Sequence, residues 1–169
     1  MSPPSAPFSP SKSLDSHALR AAFGAFATGV TVITALDEQG APVGMTANSF
    51  GSVSLEPPLV QWSLRLNSGL HRVFVDATHF SVSVLSAKQE SLARQFSSRA
   101  ADRFADVELI VSPDEPPLIA KAVAHFVCKK VNDFRVGDHE LFVGEVLRCQ
   151  SYGGEPLVFH SSKFRALEP

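Results

Sequence analysis

Polar aromatics are nearly absent from this sequence, which has one Tyr and one Trp against thirteen Phe. Its aromatic surface can pack and stack, but it seldom offers a hydroxyl or a ring N–H. Cysteine is scarce too. Cys128 and Cys149 are too few for a disulfide scaffold. Each lies in an apolar run, so both are expected as buried, reduced thiols of a cytosolic protein. No run approaches the roughly 18 apolar residues of a membrane span. There is no basic excess either: 15 Lys and Arg face 17 Asp and Glu, for a net charge of −2. Nucleic-acid binders usually carry a basic footprint, so that class of partner is excluded. Only 19% of residues are charged and 44% are hydrophobic, which is the composition of a folded chain. At 169 residues it suits one domain, able to bury roughly 70% of its unfolded surface without a disulfide or a metal.

The usual catalytic signatures are also missing. There is no G-x-S-x-G, no G-x-x-x-x-G-K-[ST], no H-E-x-x-H and no G-x-G-x-x-G. The histidines His17, His71, His79, His125, His139 and His160 show no metal-ligand spacing. An enzyme so equipped needs a cofactor to carry its chemistry.

Four of the twelve prolines fall in the first ten residues. Residues 1–14 are expected as a disordered tail without the apolar core of a signal peptide, and 15–169 as the folded domain, in the cytoplasm. Asp15 or Ser16 caps a first helix, with Leu19, Ala22, Phe23 and Phe26 at helical spacing. Phe23, Phe26 and Phe80 are expected in the core, and Gly29 as a left-handed cap. Residues 30–36 are β-branched and predict a strand, followed by a hairpin turn at Asp37–Ala41. A strand over 59–66 leads into a helix capped by Asn67 or Ser68, then a strand over 80–85. That strand–helix–strand run also fits a parallel pair. Ser86 and Gln89 form a capping box. Two long strands, 122–136 and 141–152, flank the turn Gly137-Asp138-His139, and 157–167 closes the chain. The pattern favours a mainly β chain with short helices, folded as an antiparallel barrel that removes open edges.

Residues 43–55 stand apart. Thr46, Asn48, Ser49, Ser52 and Ser54 supply short donors and acceptors beside an accessible backbone, which suits a flat heterocycle. Ser63, Arg65, Asn67 and Ser68 lie near an expected helix start, where an Arg makes a phosphate site. Alone, both stretches also fit an exposed polar strand and an ordinary cap.

The stretch from Arg20 through Pro58, with Thr46-Ala47-Asn48-Ser49-Phe50, resembles the short-chain flavin reductase family, the reductase components of two-component flavin monooxygenases. Further matches are Leu64 to Ser68, Ala93 to Phe96, Asp102-Arg103-Phe104, Gly137-Asp138-His139 with Leu141 to Val146, and Pro156 to Phe159. The resemblance implies an FMN-binding split β-barrel and a homodimer, with FMN or FAD near the subunit interface. It implies hydride transfer from NADH or NADPH to the flavin, and a monooxygenase partner that receives reduced flavin. No side chain is expected to act as acid, base or nucleophile. Thr46, Ala47, Asn48, Ser49 and Ser52 would meet the flavin ring and ribityl chain, Ser63, Arg65, Asn67 and Ser68 its phosphate, and Phe96 and Arg103 its far end. His139, Phe159, Lys163 and Phe164 would meet nicotinamide. Phe164 stands where many members have Tyr, so no hydroxyl is offered there. The residues alone also fit a split-barrel protein that retains flavin to reduce a corrinoid or metal chelate, or a non-enzymatic flavin or haem module.

Overall fold

The computed structural model describes residues 15–99 and 102–167, so the expected tail over 1–14 lies outside the described residues. Helix α1 (Ser16–Gly24) starts where Asp15 accepts hydrogen bonds from the backbone N–H groups of His17 and Ala18, both at 3.2 Å. None of its residues is buried, and Phe23 and Phe26 are 72% and 77% exposed. The expectation that these two rings enter the core is therefore wrong. Helical spacing marks a face that wants cover, but not what covers it. Gly29 is likewise no left-handed cap. It belongs to β1 (Thr28–Gly29), paired with a late strand.

Strands β2 (Thr31–Leu36) and β3 (Pro42–Ala47) form the expected hairpin. Asp37 accepts from the N–H groups of Gln39 and Ala41, and Gly40 takes φ 77°. Then come β4 (Gly51–Leu55), β5 (Pro58–Arg65), α2 (His71–Asp76) and β6 (His79–Val84). The capping box opens a short 3-10 turn that runs into α3 (Glu90–Ser97), with Gln89 Oε1 accepting from Ser86 N at 2.9 Å. After β7 (Leu109–Ile110) and β8 (Leu118–Ile119) the long strands β9 (Ala124–Val136) and β10 (His139–Ser151) follow. Two short ones, β11 (Val158–His160) and β12 (Lys163–Arg165), end the described chain.

Seven strands make the main sheet in the order β3-β2-β6-β9-β10-β5-β4, every neighbour antiparallel. The possible parallel pair between residues 59 and 85 is absent, because the β9–β10 hairpin inserts between β5 and β6. The mainly β character with short helices stands. Backbone pairing does not close the sheet into a barrel, since β3 and β4 are its two ends. Residues 48–50 join those ends without entering a ladder. β1, β11 and β12 form a small sheet of their own.

Two apolar clusters fill the interior. In one, Trp62 stacks on Phe142 (4.5 Å, 17°) and meets the edge of Phe74 (4.8 Å), with Phe80 beside it as expected. The other gathers Val30, Val32, Leu85, Phe96, Ile119 and Leu157 under α3. Cys128 is buried, and burial pushes its thiol pKa up to about 12. Cys149 is exposed, contrary to expectation. Past Glu145, β10 no longer pairs with β5, so its last residues form an exposed sheet edge and an apolar-looking run faces water.

Candidate functional site

The break between β3 and β4 sets up the site. Ser49 Oγ accepts from Ser63 N at 3.0 Å and donates to Ser63 O at 3.2 Å, while Gln61 Nε2 donates to Ser49 O at 3.1 Å. These bonds hold the 48–50 linker across β5. The Ser49 hydroxyl is thus committed to the fold. Thr46 is committed as well, donating from Oγ1 to Ala93 O at 2.6 Å, which pins α3 against β3.

Between β3 and β5 lies a cleft of about 330 Å³, lined among others by Thr46, Asn48, Ser63, Arg65, Asn67 and His139. Its size falls in the range of small-molecule sites, roughly 300–1,000 Å³. Ala47, Ser49 and Ser68 line it too. Asn48, Ser63, Arg65 and Asn67 make no side-chain hydrogen bond among the described residues, so their polar groups are left for a ligand. Arg65 stands directly opposite His139 in the β5–β10 ladder. His139 Nδ1 lies 2.7 Å from Asp138 Oδ1. That hydrogen bond, then the charge of His139, and more weakly that of Arg65, hold the Asp138 carboxyl below the usual carboxylate range.

Ser68 does not cap a helix, as the sequence suggested. Its N–H bonds Arg65 O at 3.0 Å and its Oγ accepts from Leu70 N at 3.3 Å, closing a turn. Helix α2 starts only at His71, with no side-chain cap. The segment expected as a helix start is therefore a turn with Arg65 at its base. His71 Nε2, 3.0 Å from the buried carboxylate of Glu140, ties that turn to β10.

A second cleft of about 300 Å³ opens between α3 and the small sheet, lined among others by Arg94, Ser97, Phe159, Ser162 and Phe164. The two clefts meet, because Thr46 and Asn48 line both. Phe159 and Phe164 pack edge to face, centroids 5.4 Å apart, and Arg94 Cζ sits 4.9 Å over the Phe164 ring.

The structure does not bring every expected residue together. His139 lies in the first cleft, while Phe159 and Phe164 lie in the second. Lys163 and Ser52 are exposed and line neither. Phe96 is 1% exposed and meets Phe104 edge-on at 5.0 Å, over the space that Gly44 leaves. It is a core ring with no face for a ligand. Arg103 donates to Ser98 O (3.0 Å) and Gly44 O (2.9 Å), fastening the loop after α3 instead of lining either cleft. Arg94, Ser97 and Ser162 were missed. For Arg94 and Ser97 a signal existed. Ala93 and Phe96 share the buried face, so positions 94 and 97 share the next one round. Ser162 takes φ 61° in the β11–β12 turn, for which the sequence gives no signal.

A larger cavity, about 860 Å³, lies near the start of α3 and residues 153–155. Its buried amide is already used, Gln89 Nε2 donating to Ala120 O at 2.7 Å, and Lys121 pairs with Glu108 across it. Lys88, Asp106 and Glu155 also line it, and none of the residues expected at a ligand site does.

The chain is similar to known flavin reductases. The family model described as flavin reductase like domain matches residues 23–168. The chain is 45% identical over 150 residues to the FMN reductase (NADH) SmoA of Agrobacterium fabrum, covering 89% of this chain and 85% of that protein. It is 38% identical over 146 residues to the reductase component of a flavin-dependent trigonelline monooxygenase of Acinetobacter baylyi. That match covers 86% of this chain but only 47% of the relative. Among solved structures, an NADH:FAD oxidoreductase of Streptomyces globisporus in complex with NAD and FAD fragments superposes with a TM-score of 0.86. Identity is 41%, over 92% of this chain and 94% of that one.

Proposed function

The chain belongs to the flavin reductase like domain family, and from that premise we propose an NADH-dependent flavin oxidoreductase that supplies reduced flavin to a separate monooxygenase. The observation that carries this is the pair of joined clefts, one rich in uncommitted polar groups and one walled by Phe rings. FMN or FAD, when bound, supplies the hydride acceptor, so the protein needs no acid, base or nucleophile of its own. What the chain contributes is position. Residues 48–50, outside any ladder, leave backbone groups for the edge of a flat ring. Arg65, Asn67 and the Ser68 turn receive the phosphate. Phe159 and Phe164 wall the adjoining space for nicotinamide and exclude water from it. His139, held by Asp138 opposite Arg65, borders the first cleft from the β10 side, where it meets the flavin and not the nicotinamide.

The partner oxygenase and the homodimer belong to this proposal. Ser63, Arg65 and His139 share one face of the β5–β10–β9 ladder with Leu141, Phe134 and Val136. Phe134 and Val136 are 47% and 58% exposed, an apolar surface running straight out of the cleft. A second copy covering it would bury these residues and wall the flavin site. Phe134→Asp is expected to give monomers by light scattering and to lose most flavin reduction, whereas a dimer that persists with full activity would contradict this. Among the described residues no helix is long and apolar enough to cross a membrane, and the proposed setting is the cytoplasm.

The activity is tested by following NADH oxidation with and without added FMN or FAD. Strict dependence on flavin is expected. No flavin-dependent oxidation would overturn the proposal.

A further inference from the structure

We infer that Arg94 anchors a phosphate of the nicotinamide dinucleotide and that Glu90 restrains it until the dinucleotide arrives. The inference rests on the flavin reductase reading and gives a role to a residue that the Ala93 to Phe96 match contains but assigns none.

Two phosphate-bearing nucleotides must meet at Thr46 and Asn48. The first cleft holds Arg65, within the turn that suits the flavin phosphate. The second cleft also has one cation. Arg94 is the sole charged side chain among the described residues that line it. Its placement is enforced from both sides. Ala93 and Phe96 are buried under α3, and Thr46 Oγ1 bonds Ala93 O, so residue 94 is delivered to the cleft wall next to Asn48. The guanidinium lies over the Phe164 ring, 4.9 Å from its centroid. A cation held over a ring face keeps its N–H groups for hydrogen bonds.

Two of those donors are taken. Nε and Nη2 both reach the same Glu90 oxygen, at 2.9 and 2.6 Å. This pair is one helical turn apart and well exposed, 66% and 46% by side chain. Such pairs contribute little to stability. A pyrophosphate offers more charge and matches the planar fork of the guanidinium, so it competes well with a single carboxylate. Phe164 has no hydroxyl, so beside the neutral Ser97 and Ser162 Arg94 supplies the charge of this wall.

The test compares Arg94→Ala and Glu90→Gln with the unaltered protein. Arg94→Ala should raise the KM for NADH by about tenfold or more, the scale of a lost charge-assisted hydrogen bond. The KM for flavin, and that for a phosphate-free N-alkyl dihydronicotinamide donor, should move by less than about twofold. Calorimetric titration with ADP-ribose, which carries the pyrophosphate but no nicotinamide, should show the same weakening independently of turnover. Glu90→Gln should act in the opposite sense, lowering the KM for NADH and tightening ADP-ribose. Equal losses with the phosphate-free donor, a shift in flavin KM instead of NADH KM, or unchanged ADP-ribose binding would each overturn the inference. If the protein shows no flavin-dependent NADH oxidation, the functional reading fails, and the ADP-ribose titration still decides the role of Arg94.

Discussion

Arg65→Ala is expected to raise the KM for FMN by about 10- to 100-fold, while riboflavin, which lacks the phosphate, is reduced almost as before. Arg65 ends β5 opposite His139, at the base of the turn closed by the Ser68 N–H to Arg65 O bond. Its side chain is exposed and makes no hydrogen bond among the described residues. The fold therefore loses nothing when the side chain is cut back, and stability should change by no more than about 0.5 kcal/mol. A bond between a guanidinium and a phosphate contributes about 1.5–3 kcal/mol, which sets the expected factor. Steady-state kinetics with FMN and riboflavin side by side make the check. Equal losses with both flavins would place the phosphate elsewhere.

Gly144→Ala should destabilise the protein by about 3 kcal/mol or more, measured by urea unfolding. A Cβ on Gly144 would lie 2.4 Å from Phe80 Cζ, 2.6 Å from Phe80 Cε1 and 3.2 Å from Cys128 Cβ. Phe80 is 2% exposed and held edge-on to Trp62, centroids 5.9 Å apart. The ring has no open side to move into, so either β10 or the Trp62 cluster must shift. Gly29→Ala is the matching control. Nothing lies within 4 Å of its added Cβ, and a change within about 0.5 kcal/mol is expected. Similar losses at both sites would mean that strand glycines act here through chain entropy and not through packing.

Local chemistry was legible in the sequence wherever a short-range rule governs it. The Asp37 turn, the Ser86–Gln89 box and the Asp15 cap each satisfy backbone groups within four residues, so the sequence states them outright. Long-range cover was not legible. Phe23 and Phe26 have helical spacing, yet among the described residues nothing buries them. The insertion of β9–β10 between β5 and β6 leaves no local mark, so a parallel pair stayed open beside the favoured antiparallel arrangement that formed. At the clefts, residue types marked the segments that line them but not their hydrogen-bond partners. Ser49 and Thr46 look like free hydroxyls in the sequence and are spent holding β5 and α3. Phe96 looks like a stacking ring and is core. Arg94 looks like helix surface and lines the second cleft. The side chains left uncommitted in the clefts are therefore fewer: Asn48, Ser63, Arg65 and Asn67, with Arg94 and the Phe159–Phe164 wall in the second cleft.

The central claim is that nicotinamide and a dissociable flavin meet at this junction and turn over. Anaerobic mixing of a small amount of protein with excess NADH and excess FMN or FAD tests it directly, through the flavin's visible absorbance. The account predicts bleaching of many equivalents of flavin per protein chain, at a rate proportional to protein. No bleaching, or bleaching that stops at one flavin per chain, would contradict it.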